Sequence, residues 1–400
     1  MKKGWQKRTL ADVCQIKPPK SEARERVAAD ALVSFAPMED LGIDRKFLKP
    51  TQVKPLSSVV ASYTYFADGD VLLAKITPCF ENGKLGIAAG LSNGIGFGSS
   101  EFMVFRPCTS LDKEYLYYYL SRPDFRNEGA ERMGGAVGQQ RVSKEFIENY
   151  PILLPPLPEQ QRIVGILDEA FEGIAIAKAN AEKNLQNARA LFESHLQSVF
   201  TQRGPGWMEK RLEQIGTTQT GSTPKTSERD NYGDFIPFVK PADFNTDGSL
   251  DYENDGLTEK GLSDARKVAA GSALMVCIGA TIGKCGYCER DITTNQQINA
   301  LTPFVGVSHK FVYYQMLTEN FQRRVLLSSG QATLPIINKS KWSALTVVLP
   351  PKLEDQKRIA AKFEALCEET QRLESLYQRK LTALEELKKS LLHQAFSGRL

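Results

Sequence analysis

The sequence predicts an α/β (α+β) protein: two globular units separated by a long antiparallel two-helix coiled coil, with an internal pseudo-two-fold repeat. Three observations carry this. A tandem repeat runs through the chain, a long Pro-free heptad segment closes each repeat, and strand-like runs are confined to what lies between those segments. The bulk properties agree. At roughly 100–200 residues per domain, 400 residues make two to four domains. A content of 42% hydrophobic and 24% charged residues is ordinary for a chain that builds full cores.

The repeat is clearest where Leu154-Pro155-Pro156-Leu157-Pro158-Glu159-Gln160-Gln161-Arg162-Ile163 recurs as Leu349-Pro350-Pro351-Lys352-Leu353-Glu354-Asp355-Gln356-Lys357-Arg358-Ile359. After a one-residue adjustment the offset is 196 and stays so to the end, where Ser194 and Phe200 fall on Ser390 and Phe396. Upstream, Tyr117-Tyr118 and Phe125 fall on Tyr313-Tyr314 and Phe321, Phe35 with Asp40 on Phe238 with Asp243, and Gly4-Trp5 on Gly206-Trp207. The offset drifts through these segments, as loops of unequal length require. The expected divisions are a globular unit at 1–154, a helix at 155–203, a second unit at 204–349 and a second helix at 350–400.

Both helical segments carry apolar or small residues in steps of three and four, the seam of a coiled coil. The first reads Ile163, Leu167, Ala170, Ile174, Ala177, Ala181, Leu185, Ala188, Phe192 and Leu196. The second reads Ile359, Phe363, Leu366, Thr370, Leu373, Tyr377, Leu381, Leu384, Lys388 and Leu391. The longer step at Ala181 to Leu185 reappears 196 residues later at Tyr377 to Leu381. The prolines before each segment stop the preceding run and set up the helix start. Shared seam and shared irregularity predict that the two helices pack against each other.

Strand-like runs stand at Leu32–Ala36, Val71–Ile76, Phe102–Phe105, Ile236–Val239, Ala273–Ile278 and Leu345–Leu349, bounded by Gly, Pro and Asp. Helix-like stretches follow at Lys113–Leu120, Pro123–Glu131, Lys310–Leu317 and Glu319–Leu326. Binary pattern does not order these elements into sheets.

Several function classes are disfavoured. No apolar run approaches the roughly 20 residues that span a bilayer, and Met1-Lys2-Lys3-Gly4-Trp5 does not open a signal peptide. No membrane partner is expected. Seven scattered cysteines suggest reduced thiols in a cytoplasmic protein. Gly94-Ile95-Gly96-Phe97-Gly98 lacks the context of a phosphate-binding turn and is expected to be a flexible loop. Cys285-Gly286-Tyr287-Cys288 lacks the further ligands that a structural zinc site needs. There is no Walker motif, no amino-methyltransferase motif and no nuclease cluster, and three histidines leave little for a catalytic triad. No catalytic, cofactor or metal site is expected in this chain. The net charge of +4 permits nucleic-acid binding without arguing for it.

Candidate nucleic-acid contacts cluster at turns. Gln and Arg read adenine and guanine edges in the major groove, and Gln139, Gln140 and Arg141 close the first unit as Gln331 closes the second. Lys75, Lys84, Lys240 and Lys284 stand at strand ends or glycine turns, where lysines can meet phosphates.

Two copies of a variable α/β unit, each followed by a Leu-Pro-Pro motif that opens a long helix, resemble the DNA specificity subunit of type I restriction–modification systems. Thr220-Gly221-Ser222-Thr223-Pro224-Lys225, then Ile236-Pro237-Phe238-Val239-Lys240 and Asp243, looks like the opening of a target-recognition domain in that family, and adds Thr223 and Lys225 to the candidates. Val33-Ser34-Phe35-Ala36-Pro37-Met38-Glu39-Asp40 looks like a second version, although Lys17-Pro18-Pro19-Lys20 replaces its Gly-x-Thr-Pro opening. The resemblance covers essentially the whole chain. It implies a subunit without catalysis of its own that binds double-stranded DNA at a bipartite asymmetric site. It also implies docking to two methyltransferase (modification) subunits and two ATP-dependent restriction subunits. S-adenosylmethionine, ATP and Mg would sit on those partners. The competing reading is a non-catalytic coiled-coil adaptor with two ligand-binding domains not specific for DNA.

Overall fold

A computed structural model describes residues 4–136, 138–330 and 334–400. It falls into two compact units, residues 1–180 with 380–400, and residues 181–379.

In the first unit, strand Gln6–Thr9 pairs antiparallel with Pro151–Leu154, so this stretch begins and finishes in one place, just before the first long helix. A second sheet has the order Cys14–Ile16, Phe102–Pro107, Val71–Ala74, Leu85–Ile87, all antiparallel. A third has the order Gln52–Pro55, Leu32–Ala36, Ile95–Gly98, Thr64–Ala67, and its central pair is parallel. Side chains alternate across a strand, and here both faces are covered. Val71, Leu73, Met103 and Phe105 join the core beneath helices Lys113–Leu120 and Pro123–Glu131, while Leu72, Ala74, Phe102 and Val104 join the core toward the third sheet. Burial on both faces is why these strands read as continuous apolar runs rather than as alternation. Helix Lys113–Leu120 starts where the Asp112 carboxylate accepts from the amides of Glu114 and Tyr115.

The second unit repeats this plan. Met208–Arg211 pairs with Thr346–Leu349. Gly216–Thr220, Ile298–Pro303, Ser272–Val276 and Cys285–Cys288 form one sheet. Gly256–Leu257, Tyr232–Val239, Ile292–Thr294 and Lys267–Val268 form the other, again with its central pair parallel. Cys277, Cys285 and Cys288 are buried free thiols. Burial pushes Cys277 up to about 12 and Cys288 up to about 11.

The runs expected at Leu32–Ala36, Lys113–Leu120 and Pro123–Glu131 have those bounds, and the others agree within a few residues at their ends. One expectation is corrected. Gly94–Gly98 is not a flexible loop: Ile95–Gly98 is a buried strand between Leu32–Ala36 and Thr64–Ala67. Its glycines serve close packing, since a Cβ at Gly96 would lie 2.1 Å from Phe66 and one at Gly98 2.4 Å from the Ala36 carbonyl oxygen. The short strands Gln6–Thr9, Cys14–Ile16, Gln52–Pro55 and Leu85–Ile87 carried too little pattern to be read.

Two long helices, Leu157–Gln202 and Leu353–Ser397, contribute to both units. In the first unit they run antiparallel. Arg162 donates to the Leu400 carbonyl, the Lys388 ammonium lies over the Phe171 ring, and Lys178 pairs with Glu385. In the second unit Arg189 pairs with Glu374, and Phe200 stacks on Phe363 with ring centroids 5.7 Å apart. The seam residues Ile163, Leu167, Ile174, Leu185 and Phe192 on one helix are buried or half-buried. So are Ile359, Phe363, Leu366, Leu373, Leu381, Leu384 and Leu391 on the other.

Candidate nucleic-acid interface

Each unit is clamped to the start of its own long helix by one buried amide. Gln160 accepts from the Asp112 amide at 2.8 Å and donates to the carbonyls of Ser110 and Pro155, both at 2.8 Å. Gln356, 196 residues on, accepts from the Ser308 amide at 2.9 Å and donates to the carbonyls of Gly306 and Pro350. Both side chains are almost wholly buried, and each satisfies the backbone on either side of the prolines. The role of this glutamine in the repeated motif was not read from the sequence. Its signal was identity at a constant offset in two otherwise diverged halves.

A second fastening is ionic. Lys46, from a loop of the first unit, pairs with Asp168 at 2.6 Å and with Glu114. Tyr118 also donates to Asp168. In the second unit Lys310 pairs with Glu364 at 2.5 Å and Glu289 at 3.2 Å. Asp168 and Glu364 are repeat equivalents, yet their lysines come from unrelated places: Lys310 stands where the first unit has Glu114. The helix carboxylate is shared and the cation is supplied by either of two elements. Finally, each unit takes in the far end of the other long helix. Phe396 packs edge-on to Tyr115 and Tyr119, and its equivalent Phe200 packs edge-on to Phe311.

On this mount the candidate contacts gather in one region of the first unit. Past strand Val71–Ala74, Ile76 bridges Arg141, and Thr77 donates through both its amide and its hydroxyl to the Gln140 carbonyl. Lys75, Gln139, Gln140 and Arg141 therefore come together. The Arg141 guanidinium makes two hydrogen bonds to Glu101, at 2.9 and 2.8 Å, and a third to the Gln139 carbonyl. Lys75 donates to the Ser100 carbonyl at 3.1 Å, and burial lowers its pKa. Lys84 faces inward, with its ammonium 2.8 Å from the Met38 carbonyl oxygen.

The second unit has the matching bridge, Ile278 to Ile336. Lys284 stands at the turn between Ser272–Val276 and Cys285–Cys288, half-buried. Gln331 lies outside the described residues. Thr223 lies at the 294–297 loop, where its hydroxyl donates to Gln296 at 2.6 Å. Lys225 is widely exposed beside Glu228 at 3.5 Å. Lys240 is tied to Asp255 at 2.6 Å, and its amide donates to Asp243 at 2.6 Å. The structure thus joins four candidates in the first unit and distributes those of the second over separate turns. Among the described residues no cluster of three His, Cys, Asp or Glu could hold a metal ion, and no helix is long and apolar enough to cross a membrane.

Glu101 gives the loop a pH dependence. Hydrogen bonds from Arg141 hold its carboxyl below the ordinary 4.5, more than burial raises it. A carboxyl lowered by folding stabilises above its unfolded pKa and loses that contribution as pH falls through its folded value. Protection of the amides of residues 138–141, measured relative to the unfolded-chain exchange rate at each pH, is therefore expected to fall as pH drops below the ordinary carboxylate range, and a Glu101→Gln variant should lack that acid step. Equal acid steps in both proteins would show that another group holds the loop.

Repeated α/β modules, each clamped at its base to paired long helices and presenting turns with polar and cationic residues, define a two-module scaffold. Residues 2–187 and 205–383 both match the family model for the type I restriction modification DNA specificity domain, and the chain belongs to that family. The specificity subunits of the Escherichia coli type I restriction enzymes EcoEI and EcoAI are 41% and 39% identical over 163 and 162 residues. Each match covers 40% of this chain and 27% of the relative, so the matched part is about a quarter of those proteins. A Haemophilus influenzae specificity subunit, HindI, is 29% identical over 202 residues, covering 49% of this chain and 42% of its own. Two solved structures share the fold over the whole chain. One, from a type I R-M system analysed for its complex assembly, has a TM-score of 0.77 at 20% identity and is covered to 99%. The HsdS subunit from Thermoanaerobacter tengcongensis has a TM-score of 0.67 at 18% identity and is covered to 98%.

Proposed function

We propose that this chain is the DNA specificity subunit of a type I restriction–modification complex. Residues 1–154 and 204–349 act as target-recognition domains, each reading one half of a bipartite asymmetric site on double-stranded DNA. The helices of 155–203 and 350–400 carry them and dock two methyltransferase (modification) subunits and two ATP-dependent restriction subunits. The observation that carries this reading is the contrast within the repeat. Sheet order, buried glutamine and helix carboxylate are the same in both units, while the turns bearing candidate contacts differ. A conserved mount with divergent turns is what two different half-sites demand, since base edges are read by side chains on turns and helices while the scaffold sets orientation. Two modules on one chain also bind bivalently, because engagement of the first half-site raises the effective concentration of the second module at its own.

The subunit supplies recognition, and S-adenosylmethionine, ATP and Mg belong to its partners. Purified alone, the chain is expected to transfer no methyl group. Mixed with modification subunits, it should direct methylation to one bipartite motif, read by sequencing the modified bases. Methyl transfer by the chain alone at the rate of the complex would sink the assignment.

A further inference from the structure

The two long helices share one seam pattern, so apolar periodicity does not by itself decide which helix pairs with which. A helix of this kind could pair antiparallel with a second copy of itself. The ion pairs that link the helices bear on that choice. Lys178 pairs with Glu385 at 2.7 Å in the first unit, and Arg189 pairs with Glu374 at 2.7 Å in the second. The repeat offset of 196 carries Lys178 onto Glu374 and Glu385 onto Arg189. The two bonds are thus repeat equivalents with their charges exchanged. The central helix is basic at both positions and the C-terminal helix is acidic at both.

Four seam positions are exchanged in volume as well, while Ile174 corresponds to the smaller Thr370. Ala170, Ala177, Ala181 and Ala188 on the central helix correspond to Leu366, Leu373, Tyr377 and Leu384 on the C-terminal helix. A small-rich seam against a large-rich one fills the space between helices. Two small-rich seams leave voids, and two large-rich ones overfill it.

We propose that these exchanged charges and volumes specify heterotypic pairing. They make the central helix a partner for the C-terminal helix and exclude a second copy of itself. In an antiparallel pair of two central helices in the same register, Lys178 of one copy faces Arg189 of the other. In a pair of two C-terminal helices, Glu374 faces Glu385. Each homotypic pairing replaces two attractions with two repulsions, and flanking charges of this kind select partners in coiled coils. The device keeps a two-module chain from assembling through the wrong helices with other copies of itself.

The test uses the full chain and three charge-neutral variants. Lys178→Glu with Glu374→Lys makes both helix pairs observed in the structure repulsive and both homotypic pairings attractive. Lys178→Glu with Glu385→Lys only reverses the first pair and keeps it attractive. Adding Arg189→Glu and Glu385→Lys to the first variant restores attraction at both pairs with every sign exchanged. The first variant is expected to melt about 2–6 °C below the parent and to gain concentration-dependent mass in sedimentation. The second variant should match the parent in melting, and the quadruple variant, which alone keeps both homotypic pairings repulsive, should match it in melting and mass. In about 1 M salt, where the screening length falls to about 3 Å, the difference in melting should disappear. If the first variant comes out insoluble, recovery of parental mass and melting by the quadruple variant supports the proposal. Two results overturn it: a first variant with parental melting and mass, or a quadruple variant as impaired as the first.

Discussion

Replacing Gln160 with Leu is expected to lower the stability of the first unit by about 3–5 kcal/mol. The side chain closes three backbone bonds in a buried place, to the Asp112 amide and the carbonyls of Ser110 and Pro155. Leucine has nearly the same volume and pairs with none of them, and each buried polar group left unmade costs about 1–3 kcal/mol. At roughly 2–4 °C per kcal/mol for a unit of this size, the melting temperature should fall by about 10 °C. Gln356→Leu should do the same to the second unit through Ser308, Gly306 and Pro350. The neighbouring exposed Gln161→Ala serves as the control and should melt like the parent. A Gln160→Leu protein that melts with Gln161→Ala would mean that water replaces the amide and that the clamp does not hold the unit to its helix.

Exchange of residues 206–349 for the corresponding unit of a relative with another specificity is expected to change one half of the methylated motif and leave the other half unchanged. The second unit meets its helices through groups any such unit can supply. Gln356 bonds only to backbone, and the strand pair Met208–Arg211 with Thr346–Leu349 travels whole with the exchanged segment. The side-chain exceptions are the packing of Trp207 and Phe311 on Phe200 and of Tyr314 on Phe363, which a donor must match with apolar rings, and Lys310, whose partner Glu364 lies outside the exchange and is about one-third exposed. The donor unit must therefore bring a cation to that place. It can come from position 310 or from a loop, as Lys46 does for Asp168. A donor without one should give a less stable chimaera with the same change of motif. Sequencing of methylated bases reads the result, and a change in both halves would count against independent reading by the two units.

The long helices, their shared seam and the two-fold repetition were legible in the sequence, because they rest on periodicity and on residues that recur at one offset. A heptad seam such as Ile163, Leu167 and Ile174 is local information, set by helical geometry. The central strands were legible for a related reason: Val71–Ala74 and Phe102–Pro107 are buried on both faces and so stand out as apolar runs. Sheet order was not legible. Leu32–Ala36 pairs with Ile95–Gly98 across some sixty residues, and nothing local in either strand names the other. Gly96 and Gly98 read as flexibility from the sequence, and only the packed Phe66 ring and Ala36 carbonyl turn them into a requirement for close approach.

The candidate contacts divide in the same way. The sequence by itself determined that Lys75, Gln139, Gln140 and Arg141 carry the right donors and stand near turns. Only tertiary structure decided that they meet, that Arg141 is held by Glu101 and that Lys84 points inward to Met38. It also decided that Lys178 and Arg189 find their carboxylates on the other helix. The physical reason is range. Helix and seam are set by interactions within a few residues along the chain, whereas the partner of a charge is chosen by distances of a few ångströms between segments about two hundred residues apart.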